Sequence, residues 1–286
     1  MSQQELQVVR QFDAGPITAL LCDADDNLFP SEAPAFAAST EVTNRFLARF
    51  GVTAPVTADE LQKRATGKNF RSTALDLAVL CEVPIERTLA QGRPAAVVAT
   101  DSDVASGSAV CADELEQWVR QEREQVTAHL AVTLKPDPDV LEPLQALASR
   151  FALAAVSSSA SMRLDACFTA TGLDALIPLN LRFSAEDSLP VPTSKPDPAV
   201  YLHSGRMLNI RAHQGLAVED SVPGVTSAVA AGYLTVGNLM FVPAGQRQSR
   251  SAELLDAGAV ALTDSWQALA DFLMSSTLTG GGSALR

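Results

Sequence analysis

Short apolar runs recur along the chain, with helix-like patterns between them. The runs are Ile17–Asp23, Phe151–Ser157, Leu179–Phe183, Gly215–Glu219, Leu234–Val236 and Ala259–Leu262. Apart from Leu179–Phe183 (LNLRF) they are largely continuous rather than alternating, as expected of strands covered on both faces of a parallel sheet. One intervening helix follows Ser161 and stops at Gly172, a residue suited to a left-handed closing turn. Another begins at Pro198 behind Asp197 as its N-cap, and a third covers Gly224–Ala231 and ends at Gly232. Asp264 or Ser265 can cap a last helix through Leu273, and the tail TLTGGGSALR reads as disordered.

This rhythm breaks between about Glu32 and Leu134. Strand signal is weak there, and helices are predicted at Glu41–Phe50, Ala58–Ala65, Phe70–Leu80, Ile85–Val98 and Ala112–Leu130. A Gly- and Ser-rich stretch, Thr100–Ser108, separates the last two. The segment LKPDPDV (Leu134–Val140) reads as a linker, because its two prolines suit neither helix nor strand. A helical module inserted after the first strand of an α/β core accounts for the pattern.

Composition narrows the function. The 286 residues are 47% hydrophobic and 19% charged, as in ordinary globular proteins. The start MSQQELQVVR has no apolar core of a secretion signal, and no apolar run is long enough to cross a bilayer. A cytoplasmic, membrane-free protein is expected. Lys plus Arg number 21 against 33 Asp plus Glu, a net charge of −12, which disfavours nucleic acid or anionic membrane as partner. A small anionic substrate stays open, since local cations and a metal decide that. The cysteines (Cys22, Cys81, Cys111, Cys167) lack metal-site spacing and read as free thiols.

Four motifs fall at the end of a predicted strand or the start of the next helix, the edge where open α/β sheets bind ligands. In LLCDADDNLF, Asp23 and Asp25 leave the same face of an extended backbone, and two adjacent carboxylates call for a cation. In FALAAVSSSAS, Ser157 ends a strand beside free backbone N–H groups suited to a phosphoryl oxygen. In TSKPDPAVYL, Lys195 sits in extended backbone before Pro196, where it can reach an anion. In LAVEDSVPGV, Glu219 and Asp220 supply a second acidic pair, a metal partner for the first. Taken singly, each motif is equally a turn, a helix cap or a solvated charge.

In this order the motifs resemble the haloacid dehalogenase-like superfamily, in its capped branch of phosphoglycolate phosphatase-like and β-phosphoglucomutase-like enzymes. KPDPAVYL and VEDSVPGVTSAVAAG carry most of the likeness, which spans roughly Ile17–Leu273. The resemblance implies a Rossmann-like parallel sheet core (residues 1–30 and 135–286) with an inserted helical C1-type cap (31–134). It implies Asp23 as nucleophile forming an aspartyl-phosphate, with Asp25 as general acid and then base. Mg²⁺ would be held by Asp23, the backbone carbonyl of Asp25 and Asp220, with Glu219 supporting. Lys195 would offset charge on the phosphoryl group, and Ser157, with backbone N–H groups near Ala24 and Ser158, would orient it.

The relatives mostly carry Gly-Thr after the second Asp, where this chain has Asp26-Asn27. In the inserted module KRATGKNFRSTALDLA resembles the branch's substrate-specificity loop, with Gly67 in the loop, Lys68 and Arg71 beside it, and Arg64 one turn earlier. Arg can grip a carboxylate or a second phosphate there. The expected protein is a monomeric, Mg²⁺-dependent phosphomonoesterase acting on a small sugar phosphate or organic phosphate. A phosphosugar mutase shares all four motifs, and a non-catalytic regulator on the same scaffold is the remaining alternative.

Overall fold

A computed structural model describes residues 6–65 and 69–275. The chain divides into two compact units, one of Met1–Ser31 with Leu134–Arg286 and one of Glu32–Thr133.

The larger unit is built on a sheet of seven strands among the described residues: β1 (Gln7–Val8), β2 (Ala19–Cys22), β3 (Ala152–Ser157), β4 (Arg182–Ser184), β5 (Gly215–Glu219), β6 (Leu234–Asn238) and β7 (Ala261–Thr263). Their order is β1-β7-β6-β5-β2-β3-β4, parallel throughout except that β1 pairs antiparallel with β7. The predicted α/β parallel sheet is thus the observed fold. Strands β2 and β5 are buried along their whole length, which explains their unbroken apolar sequence. The chain runs outward from β2 through β3 to β4, then returns to the other side of β2 as β5. Strand order reverses at β2, and the carboxyl end of the strand at such a reversal is where open α/β sheets bind ligands. Cys22 lies level with Ala155 and Val218, and the next residue, Asp23, stands at that edge.

Helices α6 (Pro138–Ala148), α7 (Ser161–Thr171), α8 (Ala199–Met207), α9 (Val222–Ala230), α10 (Arg247–Ala257) and α11 (Trp266–Ser275) belong to this unit. Their ends follow local chemistry. Gly172 closes α7 at φ 73°. The Asp197 carboxylate accepts from the Ala199 N–H at 2.8 Å, and the Ser265 hydroxyl from the Ala268 N–H at 3.2 Å. Ser221 accepts from the Gly224 N–H, so α9 starts two residues before the predicted Gly224. Two readings need correction. Leu179–Leu181 is a 3₁₀ turn, with the Leu181 N–H bonded to the Pro178 carbonyl, and the strand begins only at Arg182. The proposed linker Leu134–Val140 ends early, because Asp137 caps α6 by accepting from the Asp139 N–H.

The smaller unit holds α1 (Glu32–Arg49), α2 (Ala58–Ala65), α3 (Phe70–Leu80), α4 (Asp101–Ser106) and α5 (Ala112–Thr133). Phe46, Leu61, Leu75, Ile85, Val110 and Leu115 lie in its core. Helix α1 starts nine residues before the predicted Glu41. The Ser-rich separator contains α4, capped reciprocally by Thr100 and Asp103. The predicted helix Ile85–Val98 is absent. Gly92 turns the backbone at φ 76°, and Ile85 instead pairs with Val98 and Val110 through single bridges. Burial of Ile85 between those partners overrides the apolar spacing that suggested a helix. No described helix is long and apolar enough to cross a membrane.

Candidate active site

The carboxyl ends of β2, β3 and β5 bring the core motif residues together. Asp23 follows β2, and its N–H donates to the Val218 carbonyl at 2.9 Å, which continues the β2–β5 pairing by one residue. Its carboxylate is nearly buried and accepts from the Lys195 ammonium. Lys195 approaches from the turn before α8 and is equally enclosed. It also meets Glu219 Oε1 at 2.6 Å and the Val156 carbonyl at 2.7 Å, so its three N–H bonds are committed.

Glu219 ends β5 and is fully buried. Oε1 accepts from both Lys195 and the Tyr201 hydroxyl, whereas Oε2 has no hydrogen-bond partner among the described residues. Tyr201 was not anticipated from the sequence. It lies in the first turn of α8, inside the phrase KPDPAVYL, with its ring 5.4 Å from the Lys195 ammonium. Gly224 was missed as well. A Cβ there would overlap the Glu219 carboxylate, so only glycine leaves the acid its room.

Asp23, Glu219 and Asp220 each place a carboxylate oxygen within 4.8 Å of the others. Burial raises the Asp23 carboxyl above its ordinary range against the pull of Lys195. Burial likewise pushes Glu219 to about 8. Asp220 is raised by burial and by the negative charges of Asp23, Glu219 and Asp26. Lys195 is raised although burial works the other way, because Asp23 and Glu219 favour its charge. Ionised together, the three carboxylates outnumber the one lysine, and their raised affinity for protons marks a site short of positive charge. With hard oxygen donors and a buried Glu219 Oε2 that has no hydrogen-bond partner, it suits a small divalent cation.

Asp25 is oriented differently from Asp23. Its Oδ1 accepts from Ser31 at 2.6 Å and from Arg163 at 3.0 Å, and its Oδ2 from Ser159 at 2.7 Å and Ser157 at 3.3 Å. Burial would raise this carboxyl, but the Arg163 guanidinium and the hydroxyl donors hold it below the usual range. Arg163, Ser159 and Ser31 were not read from the sequence; Arg163 stands 138 residues from its partner in the chain. The Ser158 hydroxyl accepts from the Lys195 N–H at 3.1 Å and so anchors the turn that delivers the lysine.

The residues of the smaller unit are a separate matter. Gly67 and Lys68 lie outside the described residues. Arg71, in the first turn of α3, is half-buried and ion-paired with Glu116 of α5. A cleft nearby is lined by Lys63, Arg64, Thr73, Asp76 and Leu77.

Solved structures share this architecture. A predicted phosphoglycolate phosphatase from Haemophilus somnus is similar at TM-score 0.63 and 18% identity, over 90% of this chain and 98% of its own. A HAD family hydrolase from Deinococcus radiodurans with bound phosphate and sodium is similar at TM-score 0.60 and 21% identity, over 93% and 99%. A mutant CbbY from Rhodobacter sphaeroides in complex with xylulose-(1,5)bisphosphate is similar at TM-score 0.59 and 18% identity, over 88% and 95%. At these identities the likeness defines the fold alone, a mostly parallel α/β sheet with a helical unit. Residues 17–232 also match the family profile of haloacid dehalogenase-like hydrolases, and the chain belongs to that family. No curated protein gives a significant match.

Proposed function

We propose that the protein is a Mg²⁺-dependent phosphomonoesterase acting on a small sugar phosphate or organic phosphate. The observation that carries this reading is the meeting of Asp23, Lys195, Glu219 and Asp220 in one buried cluster at the sheet's switch point, with Asp25 beside it. The phosphate and the sugar bisphosphate bound by two fold relatives support the substrate class.

Asp23, Asp220 and Glu219 would hold the cation, together with the backbone carbonyl of Asp25. When bound, Mg²⁺ supplies positive charge against the phosphoryl oxygens and so lets an anionic nucleophile approach them. Lys195 adds a cation fixed against the Asp23 carboxylate. An Asp23 carboxylate oxygen attacks phosphorus in line, and the bond from phosphorus to the ester oxygen breaks. Asp25 gives its proton to that oxygen, and the product is an aspartyl-phosphate on Asp23. Water then attacks the phosphorus while Asp25 takes its proton, releasing phosphate and restoring the Asp23 carboxylate. A carboxyl held low by Arg163 suits the base half of this cycle best. Ser157 and the backbone N–H groups beyond β3 would orient the phosphoryl group. We assign substrate selection to the helical unit as a cap, on the resemblance of its Lys63–Ala78 segment to the branch's specificity loop.

A panel of phosphate esters assayed with Mg²⁺, and again with excess chelator, tests this reading. Turnover should appear with Mg²⁺ and collapse on chelation. Full activity in chelator, with no bound metal remaining, would remove the metal from the account.

A further inference from the structure

Asp26 and Asn27 take the places where relatives mostly carry Gly-Thr, and the structure gives the second of them a distinct task. Asp26 adopts a left-handed conformation at φ 51°, which short polar side chains tolerate better than most. That turn swings Asn27 inward, and its side chain is fully buried beneath the nucleophile. The Asn27 amide nitrogen donates to the Asp23 carbonyl at 2.8 Å and to the Val218 carbonyl at 3.2 Å. Backbone carbonyls only accept, so the amide's orientation is fixed by chemistry. Its oxygen then accepts from the Asn238 amide at 2.8 Å, and the Asn238 oxygen accepts from the Met240 N–H at 3.0 Å. The Asn27 carbonyl accepts from the Trp266 indole at 3.0 Å.

Both backbone polar groups of Asp23 are thereby held: its N–H by Val218 and its carbonyl by Asn27. The peptide plane that carries the Asp23 carbonyl also carries the Ala24 N–H, so one bond sets the nucleophile's backbone and an N–H beside it. We infer that Asn27 is a positioning residue for Asp23, locked in turn by Asn238 at the end of β6. The inference rests on the reading of Asp23 as nucleophile. A threonine at this position has one hydroxyl donor and cannot serve both carbonyls while also accepting from Asn238. The pair Asn27–Asn238 thus replaces a single hydroxyl with a fully connected buried network, the kind that fixes one geometry.

The test compares Asn27→Thr, Asn238→Ala and Leu269→Ala by steady-state hydrolysis of p-nitrophenyl phosphate with Mg²⁺ and by thermal unfolding. Leu269 is buried in α11 and serves as a control for lost stability alone. Asn27→Thr should lower kcat roughly 10- to 100-fold with KM within about twofold, as expected of a displaced reacting group. Asn238→Ala should lower kcat by a smaller factor, and Leu269→Ala should melt earlier with kcat unchanged. Wild-type kcat in Asn27→Thr, or kcat losses that track the melting losses across all three variants, would overturn the inference. If Asn27→Thr does not fold, wild-type kcat in folded Asn238→Ala overturns it. An inactive wild type, or an active Asp23→Asn, would remove the proposed function and this inference with it. Loss of activity in Asp23→Asn with none in Asn27→Thr removes the inference alone.

Discussion

Replacing Gly224 by Ala sets two effects of opposite sign against each other. Gly224 lies in the first turn of α9, and helix propensity alone favours alanine there by up to about 1 kcal/mol. The added Cβ, however, would overlap the Glu219 carboxylate. That carboxylate has no room to yield, since it is fully buried and held at Oε1 by Lys195 and Tyr201. Overpacking of a rigid core costs about 1–3 kcal/mol. Forcing the acid off Lys195 approaches the roughly 3–5 kcal/mol of a broken buried ion pair. Subtracting the propensity gain leaves a net loss of roughly 2 kcal/mol or more, a fall of about 4–8 °C in melting temperature for a chain of this size. Thermal unfolding of Gly224→Ala reads this directly. The same substitution in a Glu219→Ala background should cost nothing, because the obstacle is gone. A Gly224→Ala protein that melts at or above the wild type would refute the packing of Glu219 against α9.

Arg163 supplies a second test. Its guanidinium favours the Asp25 carboxylate, so Arg163→Met should raise the Asp25 pKa and, where release of phosphate with Asp25 as base limits turnover, move the acidic limb of the kcat profile to higher pH. An unmoved limb would separate Arg163 from the titrating group. In the helical unit, Arg71→Ala should lower kcat/KM for the best ester of the panel by roughly 10-fold and leave p-nitrophenyl phosphate nearly untouched. Equal losses on both would point to damaged folding, and no loss on either to a surface role beside Glu116.

Much of the sheet could be read from the chain, because its inner strands are continuous apolar runs buried on both faces. The positions of Asp23, Ser157, Glu219 and Asp220 followed from those strand ends, and that of Lys195 from the helix start just after it. What stayed hidden depends on partners far away in sequence. Nothing near Ile85 announces its pairing with Val98 and Val110, although Pro84, Gly92 and Pro94 argue against a helix there. Strand β1 is two residues long and is defined by Leu262 and Ala261 across the sheet edge. Helix α10 buries only Leu254 among its residues, too little apolar pattern to stand out. Arg163 and Tyr201 belong to the site through contacts that span 138 and 18 residues, and Asn27, four residues from Asp23, is locked by Asn238 across 211, which no local period encodes.

The central claim is that Asp23 becomes phosphorylated during turnover. Rapid quenching with substrate and Mg²⁺, borohydride reduction of any acyl phosphate and peptide mass analysis would test it most directly. The account predicts reduction at Asp23 in the wild type and none in Asp23→Asn, which should also have lost turnover while remaining folded. Reduction at another residue, or an Asp23→Asn protein that hydrolyses p-nitrophenyl phosphate at the wild-type rate, would contradict it.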